Sequence, residues 1–541
     1  MAVIEMAKND LETLVGKKLS DVDIKERIPM IGAPLEGITN NTLQYEVFPN
    51  RPDMLSVEGF ARAIKDFLDL EKKSHIYKTS DSGVTLFIDN SVKKVRPYIA
   101  CAVIKNITFT GDAIKSLMQT QEKIHQTLGR KRKKVAIGIH NIEAVEQPFY
   151  YKAVEPEKIR FIPLDMKRKL NLKEILREHP KGIKYANILE DKTTYPIIID
   201  KNENVLSFPP IINGELTRVR NDTHNLFIDV TGTDEKAVNT ALNIIVTSLA
   251  DRGGKIETVT LVDNEKKKKT PVLEYKKIKL DISYAKKLLG IPIDEKRIKT
   301  LLQRMGYLYE NGQVKIPPYR ADIMHQMDIV EDIAIAYGYE NFKPKKPVNE
   351  SGKELKEQQR KEKIRNSMIE LGFQEVVNLV LTNEDNEFKK MGLKPKDYVK
   401  TKNPLTTECT ICRKKLIPSL LNVFSQNKHR RYPQKIFELG YGVYLDKNSE
   451  TGTRDKLVLA AAISDDVINY GDLLLVLENL MKKLDIDYKL EKTDHPSFLK
   501  ERCNKIIFQG KEKGIIAVIN PDVLKKFSIE KPVVAFEILW S

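Results

Sequence analysis

Between Pro317 and Tyr339 the chain reads PPYRADIMHQMDIVEDIAIAYGY, and this stretch limits the possible folds more than any other. It holds Asp322, Asp328, Glu331 and Asp332 within eleven residues. A helix turning about 100° per residue places Asp328, Glu331 and Asp332 on one face, with Ile323, Met327, Val330, Ile333, Ala334 and Tyr337 on the other. The acids are therefore expected to point away from the helix's own core. Pro317 and Pro318 end any preceding strand and let a helix start, with Asp322 just ahead of it. Oxygen ligands in this arrangement suit a hard cation such as Mg2+, which keeps several waters and takes one or two carboxylates. A solvated acidic helix face would have the same spacing.

At 541 residues the chain is too long for one hydrophobic core, and about 150 residues per domain predicts three or four. No apolar run reaches the roughly 18 residues of a membrane span. The start, MAVIEMAKNDLETL, lacks a basic segment followed by an apolar one, so a cytoplasmic location is expected. Lys and Arg number 91 against 75 Asp and Glu, a net +16 that favours encounters with polyanions. Four cysteines in a chain of this size do not form a disulfide framework. Cys409 and Cys412 lack the second pair that a zinc site needs and read as part of a strand. No pattern points to a zinc protease or a nucleophile triad.

Two basic joints, Asn264–Pro271 and Lys343–Gly352, are read as exposed connections because they are charged, contain proline and lack apolar periodicity. They predict an α+β multidomain chain divided at 1–80, 81–265, 271–343 and 353–541. In the first part, Thr42–Phe48 alternates as a strand does, and Asn50–Gly59 opens an amphipathic helix ending near Leu70. The second part combines strands at 84–89, 98–104 and 135–139 with helices at 112–128 and 236–252. In the third, helices at 283–289 and 294–305 precede an Asn311-Gly312 hairpin, an order that resembles a winged helix. The fourth opens with a helix through Leu371 and continues with strands at 375–381, 435–444 and 456–463, which predicts a sheet flanked by helices.

Asn50-Arg-Pro-Asp-Met-Leu-Ser-Val-Glu-Gly59, Pro318-Tyr-Arg-Ala-Asp322 with Glu331-Asp332 and Tyr337-Gly338-Tyr339, and Phe437-Glu-Leu-Gly440 occur together in this order. On these motifs the whole chain resembles the phenylalanyl-tRNA synthetase β subunit family of the archaeal and eukaryotic type. The resemblance implies an α2β2 heterotetramer that attaches phenylalanine to tRNA(Phe), with ATP bound and aminoacylation carried out in the α subunit. It also implies Mg2+ at Asp322, Asp328, Glu331 and Asp332, in a winged-helix-like domain at 271–343. For 353–541 it implies a class II synthetase-like antiparallel sheet domain without catalytic motifs. Consistent with that, Phe508–Asn520 carries no arginine to hold ATP phosphates, so a subunit interface is expected there.

Phenylalanine and tyrosine differ by one hydroxyl, and an apolar pocket rejects such a near-isostere only about a hundredfold. A second, hydrolytic site is the remedy, and the resemblance places it at 81–265 as an α+β domain that clears mischarged Tyr-tRNA(Phe). The expected lining is Asn213, Gly214, Thr223, Asn225, Asp229, Thr231 and Thr233. A strand through 223–233 would show its polar set on one side. The same alternation also describes a half-exposed strand with a solvated polar face. The family often carries a small hydroxyl residue at the position of Gly214, so one pocket contact is in doubt. No metal set or activated nucleophile is visible here, which leaves a positioned water, helped by the tRNA's own terminal hydroxyl. The run Gly129–Lys134 is read either as a phosphate contact or as a solvated loop.

Two other function classes fit parts of the sequence less well. A non-enzymatic nucleic-acid binder built on 271–343 would have to read bases with Arg297, Lys299, Gln303 and Arg304, an ordinary set for an exposed helix. A metal-dependent hydrolase centred on the four acids lacks a general base.

Overall fold

The computed structural model describes residues 2–70, 75–109, 111–346 and 352–540, including the backbone but not the side chain of Asp112. The chain forms two compact units, 1–346 and 347–541. Their boundary lies inside the predicted joint at 343–352, of which residues 347–351 fall outside the described set.

In the first unit, the Asn50–Gly59 motif builds a tight entry to a helix. Arg51 grips Asp53 through two bonds of 2.9 and 2.8 Å. Pro52–Leu55 form a single 3-10 turn, and the Ser56 hydroxyl caps the helix Val57–Phe67 by accepting from Gly59 N. A Cβ on Gly59 would lie 1.8 Å from the Asp53 carbonyl oxygen, so only glycine fits this approach. Residues Arg51 through Phe60 are all buried, which makes the motif structural.

Residues 75–270 centre on a mixed ten-stranded sheet. Its path runs Ile212–Asn213, Val205–Phe208, Tyr195–Ile199, Phe149–Val154, Thr79–Ile88, Lys255–Asp263, Tyr98–Lys105, Leu226–Gly232, Val135–Asn141. Helix Glu235–Asp251, capped by Asp234, buries most of its length against this sheet. The basic stretch at 264–271 is a turn and a strand rather than a linker. Lys266–Thr270 form an edge strand paired with Lys255–Asp263, and the Thr270 hydroxyl is buried between the backbone N–H and C=O of Cys101. Lysines are common on exposed edges because they block further pairing, so charge misled the reading.

The parts at 1–80, 81–265 and 271–343 are joined by three arginines, of which Arg62 is buried and Arg252 and Arg304 half-buried. Arg252 pairs with Glu58 and, at 2.8 Å, with Asp10. Arg62 pairs with Asp251 at 2.7 Å, and its guanidinium stacks 3.8 Å above the Tyr319 ring. Arg304 donates to the carbonyls of Phe67 and Ala336. That bond removes Arg304 from any base-reading role.

The 271–343 part has helices Ile282–Leu289, Glu295–Gln303 and Gln326–Tyr337 on a three-stranded sheet whose hairpin turns at Asn311-Gly312. One facing prediction fails: Asp332 is 6% exposed and Met327 45% exposed. The carboxylate is drawn inward because Tyr307 and Arg320 bind it from the core side.

The second unit is a seven-stranded sheet, antiparallel throughout except where Gln374–Glu375 runs parallel to Gln434–Leu445. Strand Thr453–Ser464 feeds two cores by alternation: Val458, Ala460 and Ala462 on one side, Leu459, Ala461 and Ile463 on the other. The strand expected at 375–381 is broken into Gln374–Glu375 and Leu381–Thr382. Ile411–Cys412 pairs with the latter, and all four cysteines are free thiols.

Candidate functional site

The two ends of the ten-stranded path meet where Asn213 Nδ2 donates to the Ile139 carbonyl at 3.3 Å. Beside this closure, under helix Gly111–Gln126, lies a cavity of about 500 Å3. Its walls combine apolar residues such as Ile114, Met118, Ile137, Ile139, Phe208 and Ile211 with a comparable set of polar and charged ones. In a small-molecule site apolar area binds and polar groups orient the ligand, and this cavity offers both.

Asp229 and Thr231 reach the cavity from Leu226–Gly232, two residues apart on one face. Both are fully buried, so the polar face of this strand is not solvated. Asp229 stands opposite Gly138 on the neighbouring strand. A Cβ at Gly138 would come within 2.2 Å of Asp229 Oδ1, so the carboxylate lies across the space that glycine leaves. Thr231 Oγ1 accepts from Arg96 at 2.9 Å, and burial lowers the pKa of that guanidinium to about 10.

Asn213 and Gly214 also line the cavity. A Cβ on Gly214 would meet the Val205 carbonyl at 2.5 Å, so the backbone packs where a hydroxyl side chain was looked for. The Gly214 carbonyl lies 3.3 Å from the Thr217 hydroxyl oxygen.

Thr223, Asn225 and Thr233 lie elsewhere. Thr223 closes a turn by accepting from Arg220 N, Asn225 binds Glu143 and the Asn106 amide, and Thr233 is exposed. Asn225 and Thr233 share the parity of Asp229, but the strand ends at 226 and 232. At about 3.3 Å per residue, each sits roughly 13 Å from Asp229 along the chain.

Several lining residues were not foreseen. Arg132, from the basic run Gly129–Lys134, is buried; it stacks 4.6 Å from the Tyr185 ring centre and donates to Ile211 O at 2.8 Å. Arg130, Lys131 and Lys133 stay exposed, and Lys134 pairs with Asp234. His125 Nε2 accepts from Ile137 N at 2.8 Å, and burial pushes this imidazole down to about 4. The Glu122 carboxyl is held well below its usual range, first by His125 and also by Arg132. Burial also lowers the Lys181 amine. Ser207 Oγ and Arg132 Nε are buried with no hydrogen-bond partner among the described residues, His125 Nδ1 has only Glu122 at 3.7 Å, and all three residues line this cavity. Buried polar atoms are rarely left unpaired, and Ser207 Oγ and Arg132 Nε are two such atoms in one cavity.

The four acids do not converge. Arg320 binds Asp322 through Nε and Nη2 at 2.9 and 2.7 Å, and the same Nη2 reaches Asp332 at 2.7 Å. Asp328 Oδ2 accepts the amides of Met324 and His325 at the start of its helix, and Glu331 is exposed. Among the described residues no three His, Cys, Asp or Glu side chains are grouped to hold a metal. As placed, the set fits Arg320 as its counter-charge and does not fit a shared Mg2+. No helix among the described residues is long and apolar enough to cross a membrane.

Residues 278–339 match the family described as tRNA synthetase B5 domain, and 343–540 match the phenylalanyl tRNA synthetase beta chain CLM domain. The chain is 41% identical to the phenylalanine–tRNA ligase beta subunit of Methanocaldococcus jannaschii, over 99% of this chain and 100% of that one. It is 42% identical to that of Archaeoglobus fulgidus, over 99% and 98%. A crystal structure of an N-terminal fragment of the phenylalanyl-tRNA synthetase beta subunit from Pyrococcus horikoshii is 40% identical, with a TM-score of 0.60, covering 62% of this chain and 99% of the fragment. Full-length identity at this level, with both domain families in their places, shows that the chain belongs to the phenylalanine–tRNA ligase beta subunit family.

Proposed function

We propose that this chain serves in the cytoplasm as the β half of an α2β2 phenylalanine–tRNA ligase, and that its 500 Å3 cavity hydrolyses Tyr-tRNA(Phe). ATP, with its Mg2+, and the aminoacylation step belong to the α partner. The observation that carries the editing reading is the cavity in which Asp229, Thr231, Asn213 and Ser207 stand among apolar walls, with Glu122, Arg132, Lys181 and Arg218 also in the lining. Acceptor oxygens beside apolar walls favour a phenol over a phenyl ring, because a carboxylate accepts a phenolic hydrogen bond. In the reaction, water oxygen bonds to the ester carbonyl carbon and the carbonyl–ribose bond breaks. The proton from water goes to the terminal ribose hydroxyl that leaves.

The partner reading draws on the second unit. Val377 is 88% exposed, Leu379 73% and Leu405 100%, in a part of the chain where a seven-stranded sheet already has both faces covered. Exposed apolar groups of this kind, beyond scattered single residues, favour burial against another chain.

Two assays test the proposal. Phe-tRNA formation should require mixing this chain with its candidate α partner, and activity of this chain alone would refute the division of labour. The mixed complex should deacylate Tyr-tRNA(Phe), and Asp229→Ala should slow that step while charging continues. Unchanged deacylation would remove Asp229 from the site.

A further inference from the structure

His140 does not line the cavity, yet it binds two residues that do. Its Nε2 lies 2.7 Å from Asp229 Oδ1 and its Nδ1 lies 2.8 Å from Thr217 Oγ1. All three residues are buried to 1% exposure or less. We propose that His140 is the positioning residue of the cavity: it fixes the Asp229 carboxylate and the Thr217 hydroxyl as one unit and so sets the selectivity for a phenolic aminoacyl ester. This inference rests on the editing reading above.

The bonding order follows from what each group can donate. An ionised Asp229 only accepts, so His140 Nε2 carries the proton between them. In the neutral ring, Nδ1 then accepts, and the one Thr217 hydroxyl proton goes to it at 2.8 Å in place of the Gly214 carbonyl at 3.3 Å. Thr217 Oγ1 thereby keeps its lone pairs free on the cavity side, while Asp229 Oδ1 is committed to the ring. Asp229 turns its remaining acceptor capacity toward the cavity. Gly138 makes this possible, since a side chain there would collide with Asp229 Oδ1 at 2.2 Å and with His140 Nε2 at 2.7 Å. His140 and Gly138 alternate on one strand opposite Phe227 and Asp229 on the next. The ring is further held against Phe227, with centroids 6.3 Å apart.

The order hydroxyl, imidazole, carboxylate is also that of a hydrolytic triad. Here, however, the carboxylate end lines the cavity as well, which suits recognition at both ends of the unit, with water as the attacking group.

The test uses the full α and β complex and compares His140→Gln, whose amide nitrogen can stand near the Nε2 position, with His140→Asn, whose shorter side chain cannot reach Asp229. Deacylation of Tyr-tRNA(Phe) is read as kcat and KM, and Phe-tRNA formation reports the integrity of the complex. His140→Asn should cut deacylation about tenfold, the loss expected for one hydrogen bond, with His140→Gln recovering most of it and charging unchanged. Equal damage in both variants, or none in either while Asp229→Ala is impaired, overturns the role of His140 and leaves the editing reading standing. Complete loss in Thr217→Val, with charging intact, also overturns it by making Thr217 the acyl acceptor. A wild-type complex that leaves Tyr-tRNA(Phe) intact overturns the editing reading and this inference together.

Discussion

Asp229 Oδ1 occupies space that a methyl group on Gly138 would invade to 2.2 Å, so the rotamer of one residue depends on the absence of a side chain on the other. The two face each other on adjacent antiparallel strands. Gly138→Ala must turn Asp229 away from His140 or shift the strand. The expected outcome is loss of Tyr-tRNA(Phe) deacylation with Phe-tRNA formation retained, measured on the full complex. Retained deacylation would mean that the carboxylate's placement is unimportant.

His125 should make the first unit less stable as acidity rises. Its imidazole titrates near 4 in the folded chain against about 6.5 unfolded, so the unfolded state binds the proton first. Stability is present above about 6.5 and is lost as pH falls toward 4, by up to about 3 kcal/mol at about 1.4 kcal/mol per pKa unit. The first cause is burial, to which the Arg132 charge adds; protonation would also set an N–H against the Ile137 amide. His125→Gln, which keeps an acceptor that does not titrate, should flatten this limb of a urea-melt series. An unchanged slope would assign it to other groups.

Glu387 should act in the opposite sense. Burial raises its carboxyl to about 7, with Glu537 adding to the effect, while the amides of Lys414 and Lys415 oppose it. The folded state therefore holds a proton that the unfolded state loses near 4.5, and stability falls as pH rises from about 4.5 to 7. Glu387→Gln should raise the melting temperature at pH 8 more than at pH 5. Equal shifts at both values would refute the titration.

Arg320 is the counter-charge of two acids and is itself buried. Arg320→Ala should cost roughly 3–5 kcal/mol, the usual penalty for stranding buried carboxylates. Because Arg320 already fills this role, adding Mg2+ or a chelator should leave the melting temperature of the free chain unchanged. A Mg2+-dependent rise abolished by Glu331→Ala would show an ion at the acids.

Leu379 offers a test of the partner surface. Leu379→Asp places a charge where an apolar side chain is 73% exposed, so it should leave the free chain's melting unchanged while weakening copurification of the α subunit. Undiminished copurification would move the interface elsewhere.

Local signals in the sequence carried far. The Asn311-Gly312 hairpin, the helix at 282–289, the long strands at 434–445 and 453–464 and the shared face of Asp229 and Thr231 all appear where turn chemistry and period-two alternation put them. Signals based on charge carried less well. Lys266–Lys269 reads as a linker but is a sheet edge, and Arg132 sits in a basic run yet is buried over Tyr185. Charge describes a residue's cost of burial, and whether a partner offsets that cost lies outside the local sequence.

The amino-acid sequence by itself determined the family, most of the elements and the parity of the site strand, because these depend on residues within a few turns or along one strand. Only the tertiary structure decided that Asn213 would meet Ile139, 74 positions away, and close a cavity between them. It also decided that His140 would join Asp229 to Thr217, and that Arg320 would take up Asp322 and Asp332. Each of these is a contact between distant segments, made where a buried polar group must find whichever partner the packed chain brings within about 3 Å.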